Sequence, residues 1–254
     1  MSLFKPIRHI NQSLDRLLCA VQFNTILPIG PPAAFDATGM IQYFPIVGLI
    51  LGAMLSAFDQ LAIRIWSLPI AGALDVVFLL AVTGAFHIDG LGDAADGLFG
   101  HRPPEKALEI MKDSRIGAMG LVAILCGLTV KWCGLSAIEN HRSLVLVLVP
   151  ALARGGTLFA IRYLPYGRPT GTGVSLFDRP LTRSDFWAVC MVAGLTLFLG
   201  WQGLFLLVGF VFFTSLILGY YSRRLGCVTG DMLGAMTEVL EAMLFLLVSM
   251  WRLS

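Results

Sequence analysis

Seven apolar stretches constrain the fold more than any other feature of this sequence. They cover residues 40–58, 68–87, 117–138, 143–162, 186–200, 203–220 and 236–252. A helix needs about 20 predominantly apolar residues to cross a bilayer, and most of these stretches approach that length. Hydrophobic residues make up 57% of the chain and charged residues only 13%, which is unlike a soluble domain carrying one anchor. We therefore predict an all-α fold, a polytopic integral membrane helical bundle of about seven transmembrane helices in a single domain (1–254).

The basic residues are distributed unevenly between the two sides that this layout defines. Of the 18 lysines and arginines, thirteen lie in the N-terminal segment or in and beside the polar loops 88–116, 163–185 and 221–235. Only three lie on the opposite side. Because cytoplasmic loops carry the excess of Lys and Arg, we expect the N-terminus and the three polar loops to face the cytoplasm.

Residues 1–38 contain no membrane span. Apolar residues recur at helical spacing from Ile10 to Val21, with charged residues between them. This pattern is typical of an amphipathic helix lying in the membrane interface, and equally of a helix packed on the bundle. Gly30 and the two prolines after it end the pattern. We expect an N-terminal helix followed by a loop, with both alternatives open.

An acidic stretch follows the second apolar run, at or near the end of a membrane helix. Asp89, Asp93 and Asp96 have the spacing i, i+4 and i+7, which places them on one helical face. Like charges on one face repel one another unless a cation joins them, and Mg²⁺ is commonly held by carboxylates together with substrate phosphates. We predict that these aspartates are catalytic metal ligands. The glycines between them lower helix stability and indicate that something large approaches the backbone closely.

Basic residues near this stretch are candidates for binding phosphate. Lys112 and Arg115 suit phosphate oxygens, and Asp113 between them is a further candidate metal ligand. The alternative is a juxtamembrane basic cluster that contacts anionic lipid. A glycine-rich run after Arg168 is typical of an anion-binding turn. The predicted substrate-binding residues are His87, Lys112, Asp113, Ser114, Arg115, Arg154 and Arg168.

Charges inside the apolar stretches are expensive and indicate function by default. We expect Arg154 to hold a phosphate or an aspartate near the cytoplasmic end, with a structural ion pair as the alternative. Lys131 lacks small neighbours, and we leave it out of the site. It either snorkels to the interface or pairs with Asp75.

The last apolar stretch begins with a second acidic face. Asp231, Glu238 and Glu241 have the spacing i, i+7 and i+10. Asp231 alone fits a helix N-cap, whereas two glutamates inside an apolar span are harder to explain structurally. We predict that all three are catalytic residues, because a general base or a second metal needs acidic groups opposite the first face.

The sequence gives no support for several other classes of protein. The four histidines form no zinc motif, and no Walker A, GxSxG or βαβ-linked GxGxxG pattern is present. A net charge of +2 gives no reason to expect nucleic acid as a partner. The five cysteines form no CxxC pair and resemble small buried hydrophobes.

At this point the sequence resembles a known family. Residues 86–99, FHIDGLGDAADGLF, resemble the motif H-[LI]-D-G-L-A-D-T-x-D-G-[LV]-F of the cobalamin synthase family, also called adenosylcobinamide-GDP ribazoletransferase. Residues 108–117, LEIMKDSRIG, match its second motif almost letter for letter. Residues 229–235, with Glu238 and Glu241, match its C-terminal motif. The resemblance runs nearly from end to end of the chain.

The resemblance implies the last assembly step of coenzyme B12. The ribose 3′-hydroxyl of α-ribazole, or of its 5′-phosphate, attacks the cobinamide-side phosphorus of adenosylcobinamide-GDP, and GMP leaves. It implies a multi-pass protein of the bacterial inner membrane with a cytoplasmic active site. The implied partners are the two substrates and the lipid bilayer, and further candidates are a second copy of the chain and other cobalamin-assembly enzymes.

The resemblance also implies roles for the site residues. Asp89, Asp93 and Asp96 would hold Mg²⁺, the implied cofactor, on the pyrophosphate. Asp231 or a nearby glutamate would complete the metal site or accept the hydroxyl proton. The residues that would neutralise phosphate oxygens are Lys112, Arg115, Arg154 and Arg168.

Two alternatives come from other classes. A CDP-alcohol phosphotransferase also uses aspartates at helical spacing, but its D-x2-D-G-x2-A-R pattern fails here after Gly97. An ion-coupled transporter would place acidic residues near the bilayer centre and break helices in mid-span. In this chain most acidic residues cluster at the predicted cytoplasmic ends.

Overall fold

The computed structural model describes residues 12–29, 36–100, 102–113, 115–171 and 173–250. Regular structure in these ranges is helical, apart from one parallel bridge between Tyr166 and Val228, so the predicted all-α fold is confirmed. The helices are α1 Gln12–Asn24, α2 Ala37–Met40, α3 Phe44–Ala62, α4 Leu68–Thr83, α5 Phe86–Leu98, α6 Pro104–Ile110, α7 Ala118–Ala137, α8 Arg142–Tyr163, α9 Trp187–Thr196, α10 Trp201–Arg224 and α11 Gly230–Ser249.

The helices able to span a membrane number five or six within the described ranges, against a predicted count of about seven. Five are long and apolar enough to cross a bilayer: Ala37–Ala62, which joins α2 to α3, and α7, α8, α10 and α11. The pair α4 and α5 makes a sixth if it counts as one bent span. The stretch 186–200 forms only the ten-residue α9, because 3₁₀ turns at Arg183–Phe186 and Leu197–Leu199 interrupt it. The polytopic membrane architecture stands.

The acidic stretch lies on a helix of its own. The apolar run 68–87 breaks at Gly84 and Ala85, whose φ values of 60° and 58° are left-handed. Glycine adopts this conformation readily and commonly ends a helix with it, whereas alanine does so rarely. The axes of α4 and α5 differ by 92°. The three aspartates therefore lie on a short helix that is sharply bent away from α4.

Helix α8 forms the centre of the bundle and is buried over most of its length. It packs tightly against α3 because Gly52 of α3 has no side chain at the contact. A Cβ on Gly52 would lie 2.5 Å from the Val147 carbonyl oxygen. This close approach holds the two helices together beneath the site.

Helix α1 packs on this bundle. Cys19, Ala20 and Val21 are buried, and the Phe23 ring stacks on Phe44 with centroids 5.8 Å apart. This face of the helix therefore fits the packed alternative. The N-terminal residues before Gln12 and the loop prolines lie outside the described residues.

Candidate active site

The exposed face of α5 is acidic, as the spacing predicts. Asp89 is exposed and Asp93 and Asp96 are half-buried, whereas Leu91 and Ala94 on the other side of the helix are buried. Burial of the apolar side fixes which way the helix faces. The three carboxylates consequently share one surface.

Glycine lets α11 approach α5 closely beside this surface. A Cβ on Gly90 would lie 2.8 Å from the Asp231 carbonyl oxygen, and one on Gly234 would lie 3.3 Å from the His87 Cα. The glycines of the acidic stretch therefore accommodate neighbouring helices. Gly97 likewise allows a close contact, since a Cβ added there would lie 2.7 Å from the Ala107 carbonyl oxygen on α6.

The second and third polar loops are joined at the start of α11. The backbone N–H of Gly167 donates to the Val228 carbonyl at 2.9 Å, and the Val228 N–H donates to the Pro165 carbonyl at 2.9 Å. This bridge places Arg168 against Asp231, and the two side chains form an ion pair. The helix N-cap is Thr229, whose hydroxyl accepts the Met232 N–H at 3.3 Å. Asp231 is therefore not the cap.

The acidic face and Asp231 form one electrostatic cluster. Asp93 interacts with Asp89, Asp231 and Arg168. Asp96 interacts with Asp93 as well, so four carboxylates share one guanidinium and negative charge is in excess. Tyr166 lies beside the cluster, and burial raises the pKa of its hydroxyl. Tyr166 was not among the predicted site residues, because only the bridge to Val228 brings this loop residue to Asp231 on α11.

Asp96 is held differently from the other two aspartates. Its carboxylate oxygens accept the backbone N–H of Gly117 at 2.7 Å and of Gly120 at 2.8 Å. These amides belong to the N-terminus of α7, where N–H groups lack partners within the helix. Asp96 therefore ties the acidic helix to α7, although each oxygen keeps a second lone pair.

The donor set fits a Mg²⁺–phosphate centre. Within the described ranges, no three His, Cys, Asp or Glu side chains are already arranged around one metal position. Mg²⁺ does not require such a cage, since it is usually bound by one or two carboxylates, water and substrate phosphates. Asp89 and Asp93 would supply such carboxylates, and Asp231 faces them from α11.

A groove lined by charged and apolar side chains continues from the acidic face. It has a volume of about 600 Å³ and lies between the end of α5, α6 and the start of α7. We call it the α6 groove. Asp113 and Arg115 line it and pair at 2.5 Å, and this hydrogen-bonded contact lowers the pKa of Asp113 to about 2. Lys112 is exposed nearby, whereas Ser114 lies outside the described residues.

The two glutamates of α11 lie inside the bundle. Lys131 donates to Glu238 at 2.5 Å and to Glu241 at 2.9 Å, and Arg154 donates to Glu241 at 2.6 Å. All four side chains are buried. The structural ion pair is therefore the alternative that the structure supports for Arg154, and these residues do not meet the aspartates at the surface.

Both alternatives for Lys131, snorkelling to the interface and pairing with Asp75, are wrong, because its side chain is buried in pairs with the two glutamates of α11. Asp75 instead accepts from Arg142 at 2.9 Å, and Arg142 also pairs with Asp59 at 2.7 Å. The three side chains are buried together at the end of the bundle away from Asp231. Arg142 precedes the apolar stretch 143–162 and is one of the three basic residues that the predicted layout assigns to the side opposite the polar loops. Asp75 lies inside an apolar stretch, and a buried charge of this kind needs a partner.

His87 lies beneath the acidic face, against Arg154. His87 is 5% exposed and Arg154 2%. The His87 Nδ1 and the Arg154 Nε have no hydrogen-bond partner among the described residues. Both residues line a cavity of about 30 Å³ with aromatic walls, which is large enough for water. His87 is thus placed near the cluster but below its surface.

Comparisons with known proteins match one family over nearly the whole chain. Residues 16–249 match the family described as cobalamin-5-phosphate synthase. An adenosylcobinamide-GDP ribazoletransferase of Thermosynechococcus vestitus is 38% identical over 89% of this chain and 93% of the relative. Relatives of the same name from Desulforamulus reducens and Vibrio cholerae are each 35% identical, covering 91% and 94% of this chain and 95% and 94% of their own.

No solved structure matches the chain. The family match covers nearly the whole chain and includes the acidic helix, the α6 groove and the joined loops. The chain belongs to the cobalamin-5-phosphate synthase family and is a membrane transferase of cobalamin synthesis.

Proposed function

We propose that the protein joins adenosylcobinamide-GDP to α-ribazole, or to α-ribazole 5′-phosphate, at the acidic face of α5. The products are adenosylcobalamin, or its 5′-phosphate, and GMP. The observation that carries this proposal is the meeting of Asp89, Asp93, Asp231 and Arg168 from three separate parts of the chain. Phosphoryl transfer depends mainly on positioning and on neutralising charge, and these residues supply both.

The proposed reaction exchanges one phosphorus–oxygen bond for another. The 3′-hydroxyl oxygen of the ribose forms a bond to the cobinamide-side phosphorus, and the bond from that phosphorus to the GMP oxygen breaks. GMP leaves with the electron pair of the broken bond. Asp231 accepts the hydroxyl proton in this proposal, because it faces Asp93 from the opposite helix, whereas Glu238 and Glu241 are held in buried ion pairs.

Mg²⁺ is the proposed cofactor, held by Asp89 and Asp93 with phosphate oxygens, and it would neutralise charge on the pyrophosphate. Asp96 would contribute through its remaining lone pairs while it holds α7 in place. Arg168 would orient Asp231 and contact a phosphate oxygen. Arg115, which lines the α6 groove, and the exposed Lys112 nearby would meet the leaving nucleotide.

The proposed location is the inner membrane of a bacterium, with the acidic face in the cytoplasm. The support is the charge distribution of the sequence, since most lysines and arginines lie on the side of the chain that carries this face. The same side carries the α6 groove and the joined loops. Both substrates would then reach the site from the cytoplasm.

Two features expected of a transporter are also present, namely buried acidic residues and the break between α4 and α5. The buried acids are paired with Lys131, Arg142 and Arg154, and such pairs serve the packing of the bundle as well. Family membership favours the transferase over this alternative.

The test is GMP release by the purified protein in detergent, given adenosylcobinamide-GDP, α-ribazole and Mg²⁺. We expect release that depends on α-ribazole and stops when the metal is chelated. Asp89→Ala should reduce the rate at least 100-fold, while Asp178→Ala, an exposed carboxylate of the second loop, should leave it unchanged. Absence of GMP release from a folded protein would refute the proposal, and release unaffected by chelation would refute the role of the metal.

A further inference from the structure

The α6 groove has the features of a nucleotide site. Its volume of about 600 Å³ lies within the usual range for small-molecule pockets, about 300–1,000 Å³. It combines two arginines, Arg102 and Arg115, with the carboxylate of Asp113 and with apolar walls. Phe99 and Ile116 in these walls are 57% and 60% exposed. An aromatic face of this kind can stack on a purine base.

The groove adjoins the reacting centre. Asp96 lies on its wall and is three residues beyond Asp93 on α5. At 1.5 Å per residue, the two positions are about 4.5 Å apart along the helix axis. A leaving group attached to a phosphorus at Asp93 would therefore extend into the α6 groove.

The ion pair between Asp113 and Arg115 can open for a ligand. The Arg115 side chain is 86% exposed and that of Asp113 39%, and exposed ion pairs contribute little stability. Arg115 donates to both Asp113 oxygens. A phosphate that drew Arg115 away would leave the carboxylate with two adjacent acceptor oxygens directed at the groove.

Two adjacent acceptors on one carboxylate suit the edge of guanine. Guanine presents the ring N1–H and the 2-amino group side by side as donors. Adenine presents an acceptor at N1, and hypoxanthine lacks the 2-amino group. A charged acceptor that is matched to two donors rejects an analogue that lacks one of them.

We propose that the α6 groove binds the guanosine part of the nucleotide substrate, with Asp113 accepting the guanine N1–H and 2-amino hydrogens. Arg102 and Arg115 contact its phosphate, and Phe99 stacks on the base. This inference rests on the proposed function for the presence of a guanine nucleotide. It adds a residue that determines specificity, Asp113, which the metal site does not use.

The experiment is calorimetric binding of GMP, IMP and AMP to the intact purified protein in detergent, without turnover. The wild-type protein should bind GMP about ten-fold or more tightly than IMP, and AMP more weakly still. Asp113→Asn should bring the GMP and IMP dissociation constants within about three-fold of each other. The matched control Asp178→Asn should keep the wild-type ratio.

Arg102→Ala separates base recognition from phosphate binding. It should weaken GMP and IMP binding by the same factor and so preserve their ratio. A GMP-to-IMP ratio that persists in Asp113→Asn would overturn the inference, as would GMP binding unaffected by both variants. Because binding is measured without α-ribazole, failure of the transfer reaction would be seen separately, in the GMP-release assay.

Discussion

The carboxylate of Asp96 on α5 accepts the backbone N–H of Gly120 in the first turn of α7, at 2.8 Å. The same carboxylate accepts the Gly117 N–H at 2.7 Å. One side chain thus caps a neighbouring helix from outside that helix. A Cβ on Gly120 would collide with the carboxylate, so glycine and aspartate depend on each other here. Asp96 therefore has a structural role at α7 in addition to its place on the acidic face of α5.

This structural role predicts a loss of stability for Asp96→Ala but not for the matched substitution Asp89→Ala. Asp96→Ala should lower the free energy of unfolding by about 1–2 kcal/mol, because two N–H groups of α7 lose their acceptor. Asp89→Ala should leave that free energy within about 0.5 kcal/mol, because its side chain is exposed. Denaturant unfolding in detergent measures both. Equal losses of stability in the two variants would show that Asp96 does not act as a cap.

The buried pairs of α11 should matter for folding more than for chemistry. Glu241→Gln would leave Lys131 paired with Glu238 alone and would leave Arg154 without a carboxylate partner. Removing one partner of a buried ion pair costs about 3–5 kcal/mol, and we expect a loss of stability of that size. Glu105→Gln, at an exposed position of α6, is the control and should change little.

A double substitution tests whether Glu241 stabilises the protein through its ion pair with Arg154. Arg154→Met combined with Glu241→Met should be less destabilising than the sum of the two single changes, because the pair is removed together. Strict additivity would contradict the pairing.

The pH profile of GMP release by folded Glu241→Gln should match the wild-type profile. Loss of the acidic limb of that profile would instead support a glutamate acting as general base.

Two glycines offer a matched test of the contact between α5 and α11. Gly90→Ala should destabilise the protein and reduce GMP release, since the new methyl group would lie 2.8 Å from the Asp231 carbonyl oxygen. Gly219→Ala, on α10 with nothing within 4 Å, should stabilise it by about 0.5–1 kcal/mol. Thermal unfolding and GMP release together check this, and a tolerated Gly90→Ala would show that the contact is loose.

Arginine at position 168 should not be replaceable by lysine. Its guanidinium pairs with Asp231 and keeps further donors for a phosphate, which a lysine ammonium cannot reproduce in the same planar geometry. We expect Arg168→Lys to lower kcat by about 10²–10³. Arg179→Lys, whose arginine pairs with Asp185 at 2.8 Å in the second loop, should keep near-normal kcat. Similar values for both variants would remove Arg168 from the site.

The sequence predicted those parts of the molecule that follow from local periodicity. The helical class follows from the apolar stretches, and the common face of Asp89, Asp93 and Asp96 follows from their spacing. The break at Gly84 and Ala85 was missed because both residues lie inside an uninterrupted apolar run. The short α9 was missed for a related reason, since hydropathy alone does not reveal 3₁₀ turns.

The sequence alone could not show which buried charged residues pair with each other. Lys131 has Asp75, Glu238 and Glu241 as candidate partners, and only the rotation of α7 against α11 decides among them. Arg142 and Asp59 find each other across 83 residues for the same reason. The capping role of Asp96 also depends on where α7 begins in space. Long-range geometry of this kind leaves no periodic signal in the chain.

The most direct test of the central claim is the rate of GMP release by Asp93→Asn. Asparagine keeps the size of the side chain and removes the charge at the centre of the cluster formed with Asp89, Asp231 and Arg168. At saturating adenosylcobinamide-GDP, α-ribazole and Mg²⁺, we expect a rate at least 100-fold below that of the wild-type protein, with an unchanged unfolding midpoint. A folded Asp93→Asn protein that releases GMP at a near-wild-type rate would contradict the assignment of the reaction to this face.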